Sequence, residues 1–437
     1  MMQRTARTSA GFGVVVCAST LALFVVHGRA QSKITPAPEP ASLRFVAFGA
    51  GLPTSGQWRE GFRVADLNGD GFLDIVHGSQ RKQPGQPPAI FLGDGKGSWT
   101  RWKEARFPSL AYDYGDVEVA DFNGDGYPDL ALAVHYHGLL VLTGDGLGNF
   151  SQASADAAGL EFDAKGAAQF SSRAIRVTDW NGDGRPDLIA AWEGPRPGAP
   201  STGPNRHGLA VYLNQGPKGW QRSDPLLSPG VFSDSLTLGD FDGDGHTDVA
   251  VGSSVLSRKD LVNLWRASGA TPAAPLAIPG VYHYVQAVGA GDFDGDGKDD
   301  LAAGYLSLEN EVWYTALDVF YSRPGGTWER RTLSKEPTRN VAVALASGHL
   351  RATGTRDLVA LTMQGETIVY LADGHGGFAR NTAIPVYPGR CRGAHVELAD
   401  LDGDGIDEIV TAFADEPDGE TCPTGGGITA WKAVPTK

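Results

Sequence analysis

The sequence predicts an all-β fold, a seven-bladed β-propeller of four-stranded blades whose ring is closed by the N-terminal strand joining the last blade. Three observations carry that prediction. An acidic nonapeptide, D-x-[DN]-G-D-G-x-x-[DE], recurs along the 437-residue chain. Four short β-rich runs with turn signals between them accompany each copy. Glycine and proline number 59 and 27, a turn-rich composition, while charged residues stay at 20 %, too few for a disordered chain.

The chain begins with an address rather than a fold. Arg4 and Arg7 precede an apolar run from Val14 to Val26, and Gly28 and Ala30 stand at the −3 and −1 positions of a cleavage site. Residues 1–30 therefore read as a secretory signal peptide, the run being shorter than the roughly 20 residues that span a bilayer. Residues 31–42 (QSKITPAPEPAS) read as a proline-rich linker, and 43–437 as the propeller. The mature chain is expected to be secreted, periplasmic or extracellular, with no membrane insertion. Formal net charge is −14 before processing, which excludes the basic face that nucleic acid needs.

The repeat itself starts at Asp66, Asp121, Asp179, Asp240, Asp292 and Asp400. Halfway across the one long gap, HLRATGTRD (His349 to Asp357) keeps the frame with most carboxylates lost, so the seven starts are 51 to 61 residues apart. A run such as FRVAD or VELAD leads into each motif, and one such as DLALAV or EIVTAF leaves it. A third run ends in a glycine-rich turn plus an aromatic: Trp99, Phe150, Trp220, Trp328 and Phe378 share that position and are read as blade core. Trp180 shares the second motif position with Phe122, Phe241 and Phe293, with the same reading. The seventh repeat lacks a fourth run, and Leu43–Phe48 has the texture of one without its first three. Leu43–Phe48 is therefore expected to pair with Ile428–Val434 and to remove the free edges of an open ring.

The motif chemistry is that of a hard cation. Side chains at positions 1, 3, 5 and 9, with the carbonyl at 7, offer only oxygen, which favours Ca²⁺ over zinc or copper. The expected ligands are Asp66, Asn68, Asp70 and Asp74 in the first repeat, then Asp121, Asn123, Asp125 and Asp129, then Asp179, Asn181, Asp183 and Asp187. The later loops offer Asp240, Asp242, Asp244 and Asp248; Asp292, Asp294, Asp296 and Asp300; and Asp400, Asp402, Asp404 and Glu408. Three or four carboxylates per loop repel one another unless a cation is present. About six structural Ca²⁺ ions are expected on this chemistry. An EF-hand is excluded because position 12 is His77, Leu132 and Ala190 in the first three repeats, each inside a β-rich run.

Over residues 43–437 the repeat resembles the FG-GAP/VCBS type found in integrin alpha-subunit propellers and in many secreted bacterial proteins. The resemblance implies a calcium loop between the first two strands of each blade. The sixth repeat departs from it, with His349, Arg351 and Thr353 where carboxylates belong.

Cys391 and Cys422 remain once the leader with Cys17 is removed, and are expected to be disulfide-bonded in an oxidising compartment. Any funnel on the face opposite the acidic loops is built from segments before the first strands and between the second and third. The candidates before first strands are Arg59 with Glu60, Tyr112 and Tyr114, Arg173, Asp234, Tyr282, His283 and Tyr284, Arg339, and Arg390 with Arg392. Those between second and third strands are His135 and His137, Trp192 with Glu193, and Arg206 with His207. His135 and His137 lack a third metal ligand and are read as ordinary surface histidines. No G-x-S-x-G, H-E-x-x-H, phosphate loop or dinucleotide fingerprint occurs. The expected function is a calcium-stabilised, monomeric binding or scaffold module for a glycan or protein. The alternative is a polysaccharide lyase or sugar dehydratase with its active site in the funnel, to which some proteins with similar repeats point.

Overall fold

The computed structural model describes residues 43–436 apart from 154–158, 167, 169, 195–207, 224–232, 255, 267–275, 279–280 and 416–421. The expected signal peptide, the linker, Arg206 and His207 lie outside the described residues, as does the side chain of Arg390. Seven antiparallel sheets follow one another along the chain. Strand β1 (Leu43–Ala47) comes first and stands apart from the next four. Blade 1 is β2 (Phe62–Ala65), β3 (Asp74–His77), β4 (Ala89–Gly93) and β5 (Trp99–Arg101). Blade 2 is β6 (Val117–Ala120), β7 (Asp129–Val134), β8 (Gly138–Gly144) and β9 (Phe150–Gln152). Blade 3 is β10 (Ser172–Thr178), β11 (Asp187–Trp192), β12 (Leu209–Asn214) and β13 (Trp220–Ser223). Blade 4 shows β14 (Leu236–Gly239), β15 (Asp248–Gly252) and β16 (Val262–Trp265) among the described residues, and a bridge from Val262 to Leu276 continues it outward. Blade 5 is β17 (Tyr282–Gly291), β18 (Asp300–Glu309), β19 (Val312–Arg323) and β20 (Thr327–Glu336). Blade 6 is β21 (Ala342–Gly348), β22 (Asp357–Thr362), β23 (Thr367–Ala372) and β24 (Phe378–Asn381). Blade 7 is β25 (Arg392–Ala399), β26 (Glu408–Ala414) and β27 (Gly426–Pro435), completed by β1.

The ring closes as the sequence predicts. Strand β1 runs antiparallel to β27, in register from Leu43 opposite Pro435 to Ala47 opposite Trp431. Cys391 and Cys422 are bonded within the same blade. Among the described residues no helix is long and apolar enough to cross a membrane.

The second strands read as continuous apolar runs because both of their faces are covered by neighbouring blades: β7, β11 and β22 are buried at every residue. Between blades, the second motif residue meets the aromatic that opens the next blade's outer strand. Phe122 meets Trp220 at 5.7 Å, Phe241 meets Trp328 at 6.0 Å, and Phe293 meets Phe378 at 5.6 Å. A single sequence position thus stitches blades 2, 4 and 5 each to the next, at about 0.5–1.5 kcal/mol per ring pair beyond the area buried.

Candidate functional site

The acidic loops join the first and second strands at one end of every blade. In the first, Asp66 accepts backbone N–H bonds from Gly69, Asp70 and Gly71, while Asn68 accepts from Asp70. Gly69 and Gly71 hold φ of 73° and 86°, which the tight turn requires and which a side chain would strain. The ninth residue has a distinct task. Asp74 is fully buried and accepts from Leu67 N and Gly93 N, tying the loop to the third strand. Asp129 repeats this with Phe122 and Gly144, Asp187 with Trp180 and Asn214, and Asp300 with Phe293 and Ser322. Burial pushes the Asp74 and Asp129 carboxyls up to about 6 and the Asp300 and Glu408 carboxyls to about 7.

Three loops bring carboxylate oxygens within 4.8 Å of one another: Asp240, Asp242 and Asp248; Asp292, Asp294 and Asp300; and Asp400, Asp402 and Asp404. Asp294 Oδ1 and Asp402 Oδ1 are buried there and accept no hydrogen bond. Basic side chains balance part of this charge. Arg266 pairs with Asp242, Arg323 with Asp294, and Lys432 Nζ lies among Asp402, Asp404 and Glu408. In the sixth repeat Arg351 pairs with Asp357, whose carboxylate still accepts from Ala372 N as its counterparts do.

The inner strands carry a second set of charges, three residues before each motif: Arg63, Glu118, Arg176 and Glu397 in blades 1, 2, 3 and 7, but Thr237, Gly289 and Ala346 in blades 4 to 6. Arg63 donates to Glu118 at 3.0 Å and lies 3.8 Å from Glu397, and Arg176 donates to Asp116 at 2.6 Å. Arg63 Nη1 also meets His395 Nε2 at 3.2 Å; burial, then the two guanidinium groups, hold this imidazole well below its usual range. Burial raises Glu397 to about 7, with Arg63 opposing. A Cβ on Gly61 would sit 1.5 Å from Asp116 Oδ1, so only glycine admits this carboxylate. The alternation of this ring was visible as charge at one frame position, and sequence reasoning missed it because that position was read as ordinary strand.

The opposite face opens into a narrow cavity of about 60 Å³ lined by Arg59, Glu60, Asp234, Tyr284, Gln286, Val343, Arg392 and Ala394, among others. A repeated backbone irregularity builds it. Register breaks skip Arg173, Gln286, Val343 and Ala394 in β10, β17, β21 and β25, each six residues before its motif. Such a bulge re-aims the side chain out of the pleat. Glu60, at the same frame position in blade 1, has φ of 70° instead.

Around the mouth, Arg59 Nε donates to Glu60 Oε1 at 2.9 Å, and Arg173 pairs with Asp234 at 2.8 Å and Glu193 at 3.1 Å. Burial raises the Glu60 carboxyl, but Arg59, Arg173 and Arg392 outweigh it and hold it below the usual carboxylate range. For Asp234 burial prevails over Arg173 and the carboxyl is raised. His135 Nδ1 bonds to buried Glu193, and its ring lies 4.5 Å from Tyr114.

The structure therefore brings Arg59, Arg173, Arg392, Tyr284, Tyr114 and His135 to this end of the channel. It does not bring the other candidates to the cavity. Tyr112 is buried with its hydroxyl on Pro108 O, Trp192 is buried in β11, and His283 is buried against Tyr305. Strand alternation turns His283 away from the face that its neighbour Tyr284 lines. His137 binds Asp163 O, Tyr282 stacks under Arg258, and Arg339 lies over Trp313.

The family model described as FG-GAP-like repeat matches residues 83–132, 121–190 and 179–251, and the one described as FG-GAP repeat matches 284–307. The chain carries FG-GAP repeats. The matched spans run from the third strand of blade 1 to the second strand of blade 4 and over most of the first two strands of blade 5, and the same strand order recurs around the seven-bladed ring. Two crystal structures described as BBS1N in complex with ARL6DN, soaked with lead and with mercury, contain chains similar to this one, each at 10 % identity and TM-score 0.51. The alignments cover 91 % of this chain and 99 % of the first, and 90 % and 97 % for the second. At that identity the likeness shows the propeller fold alone. No curated protein matches the sequence.

Proposed function

We propose that this FG-GAP propeller is an exported, calcium-stabilised binding module that takes a glycan or protein ligand at the mouth of its channel. The observation that carries the reading is Arg59: its Nε is held by Glu60 while both terminal amino groups, facing the cavity, have no protein partner among the described residues. Together with Asp234, which pairs with Arg173 and lines the same cavity, they present donors and an acceptor to a ligand bearing acidic groups. A glycan and peptide array probed with the wild-type chain and with Arg59→Ala tests it. Binding that Arg59→Ala abolishes supports the reading, and an array with no binder, or binding indifferent to the substitution, overturns it.

Calcium belongs to the opposite face. The all-oxygen donor sets of the six acidic loops fit a hard divalent cation, and the orphaned oxygens of Asp294 and Asp402 are where one more ligand bond is lacking. The bound ion would supply charge neutralisation, and the chain's own carboxylates and glycine turns would fix its place.

A second reading, an enzyme of the lyase or dehydratase kind, draws support from one contact. Buried Glu193 orients His135 beside Tyr114 and Arg173, the arrangement of a positioned acid/base pair. Loss of turnover on acidic polysaccharides in His135→Ala supports that reading, and absence of any turnover by the wild type removes it.

A further inference from the structure

Blade 5 is longer than its neighbours. Its four strands have 10, 10, 12 and 10 residues, and β18 and β19 meet in a hairpin at Asn310 and Glu311, both with positive φ. The taller blade leaves a cleft of about 350 Å³ between itself and blade 6, at the lower end of the roughly 300–1,000 Å³ range of ligand sites. It shares no lining residue with the channel-mouth cavity.

Floor and rim of the cleft differ in chemistry. The floor is buried and largely apolar, formed by Leu317, Ala342, Ala360, Ile368 and Tyr370. The rim is hydroxyl, amide and carboxylate, and much of it is fixed before any ligand arrives. Asn340 Nδ2 donates to Glu366 Oε2 at 2.7 Å, Asn340 Oδ1 accepts from Gln364 N at 2.8 Å, and Thr315 Oγ1 donates to Thr338 O at 3.1 Å. The side-chain amide of Gln364 and the second oxygen of Glu366 have no protein partner among the described residues. Charge is low, since Arg380 faces Glu336 at 4.0 Å. An anion would meet uncompensated Glu366, and a purely apolar ligand would strand the rim's donors and acceptors without partners.

We propose that this cleft binds a neutral saccharide, with the C–H face of a sugar ring on the Ala342–Ile368–Tyr370 floor and its hydroxyls bonded to Asn340, Gln364 and Glu366. A saccharide pairs an apolar C–H face with a rim of hydroxyls that both donate and accept, which matches this floor and rim. The site is independent of the channel mouth, so either can fail without the other.

Saturation-transfer NMR and calorimetry with cellotetraose, xylotetraose, laminaritetraose, mannotetraose and chitotriose test the proposal on the full chain. At least one is expected to bind at millimolar strength or better. Gln364→Trp and Thr338→Trp, two exposed rim positions that fill the cleft, are each expected to weaken it at least about tenfold. Arg59→Ala, at the other cavity, is expected to leave it unchanged. Thermal melts identify any variant that has not folded, and the second tryptophan variant stands in for it. No binding by any of the five sugars, binding that survives the tryptophan variants, or loss in Arg59→Ala overturns the proposal.

Discussion

Arg351 holds Asp357 with two nitrogens, Nε on one carboxylate oxygen at 3.1 Å and Nη2 on the other, and Nη2 also donates to Ala372 O at 2.6 Å. In the other loops the side chain at the Arg351 position is an asparagine or an aspartate. The sixth blade has exchanged ligands for a covalently attached cation, while keeping the ninth-position carboxylate that ties loop to third strand.

Removing that guanidinium leaves Asp357 buried and unbalanced. Arg351→Ala is expected to cost on the order of 3 kcal/mol. Urea unfolding of the variant is expected to show the loss equally with and without calcium, since no ion can replace a group that shields only one carboxylate.

Calcium removal tests the other six loops. At free calcium ten times the dissociation constant, each independent site contributes about 1.4 kcal/mol. Calorimetric melts are expected to fall sharply in EDTA. Asp121→Ala is expected to lower the binding stoichiometry by one in titration calorimetry, and an unchanged melt in EDTA would falsify the calcium proposal.

Lys432 competes for the seventh loop. Its ammonium touches Asp402, Asp404 and Glu408, so an ion must displace it. Lys432→Met is expected to tighten calcium binding at that loop by at least about tenfold, roughly 1.4 kcal/mol. Equal affinities in variant and wild type would show that the lysine does not stand in the way.

Glu397 gives the inner ring a pH signature. Its folded carboxyl is raised to about 7, above the unfolded value near 4.5, so the folded state holds the proton more tightly. The resulting stabilisation is complete below about pH 4.5 and is lost as pH rises through 7, a change on the order of 3 kcal/mol. Glu397→Gln keeps an acceptor for Val64 N, at 3.2 Å in the parent, and is expected to gain on the wild type between pH 5 and pH 8. Urea midpoints at the two pH values read the difference.

Much of this molecule was legible in the sequence. The acidic nonapeptide gave the blade number, and the incomplete seventh repeat gave the β1–β27 closure. What stayed hidden depends on geometry that no periodicity records. The bulges at Arg173, Gln286, Val343 and Ala394 each shift one residue across the pleat, so a reading by alternation misplaces residues on either side. His283 was misplaced for a simpler reason: ordinary alternation buries it while its neighbour Tyr284 lines the cavity. The blade 5–blade 6 cleft was invisible for another reason. It arises from extra strand length on one blade, and Thr338, Asn340 and Gln364 look in sequence like ordinary turn residues.

The pairing of Leu43 with Pro435 has a consequence for biosynthesis. Among the described strands, β1 has no partner until β27 has left the ribosome. Until then blade 7 lacks its outer member, and the growing protein holds an incomplete circle whose first segment must wait, unzipped, for β27 to be made.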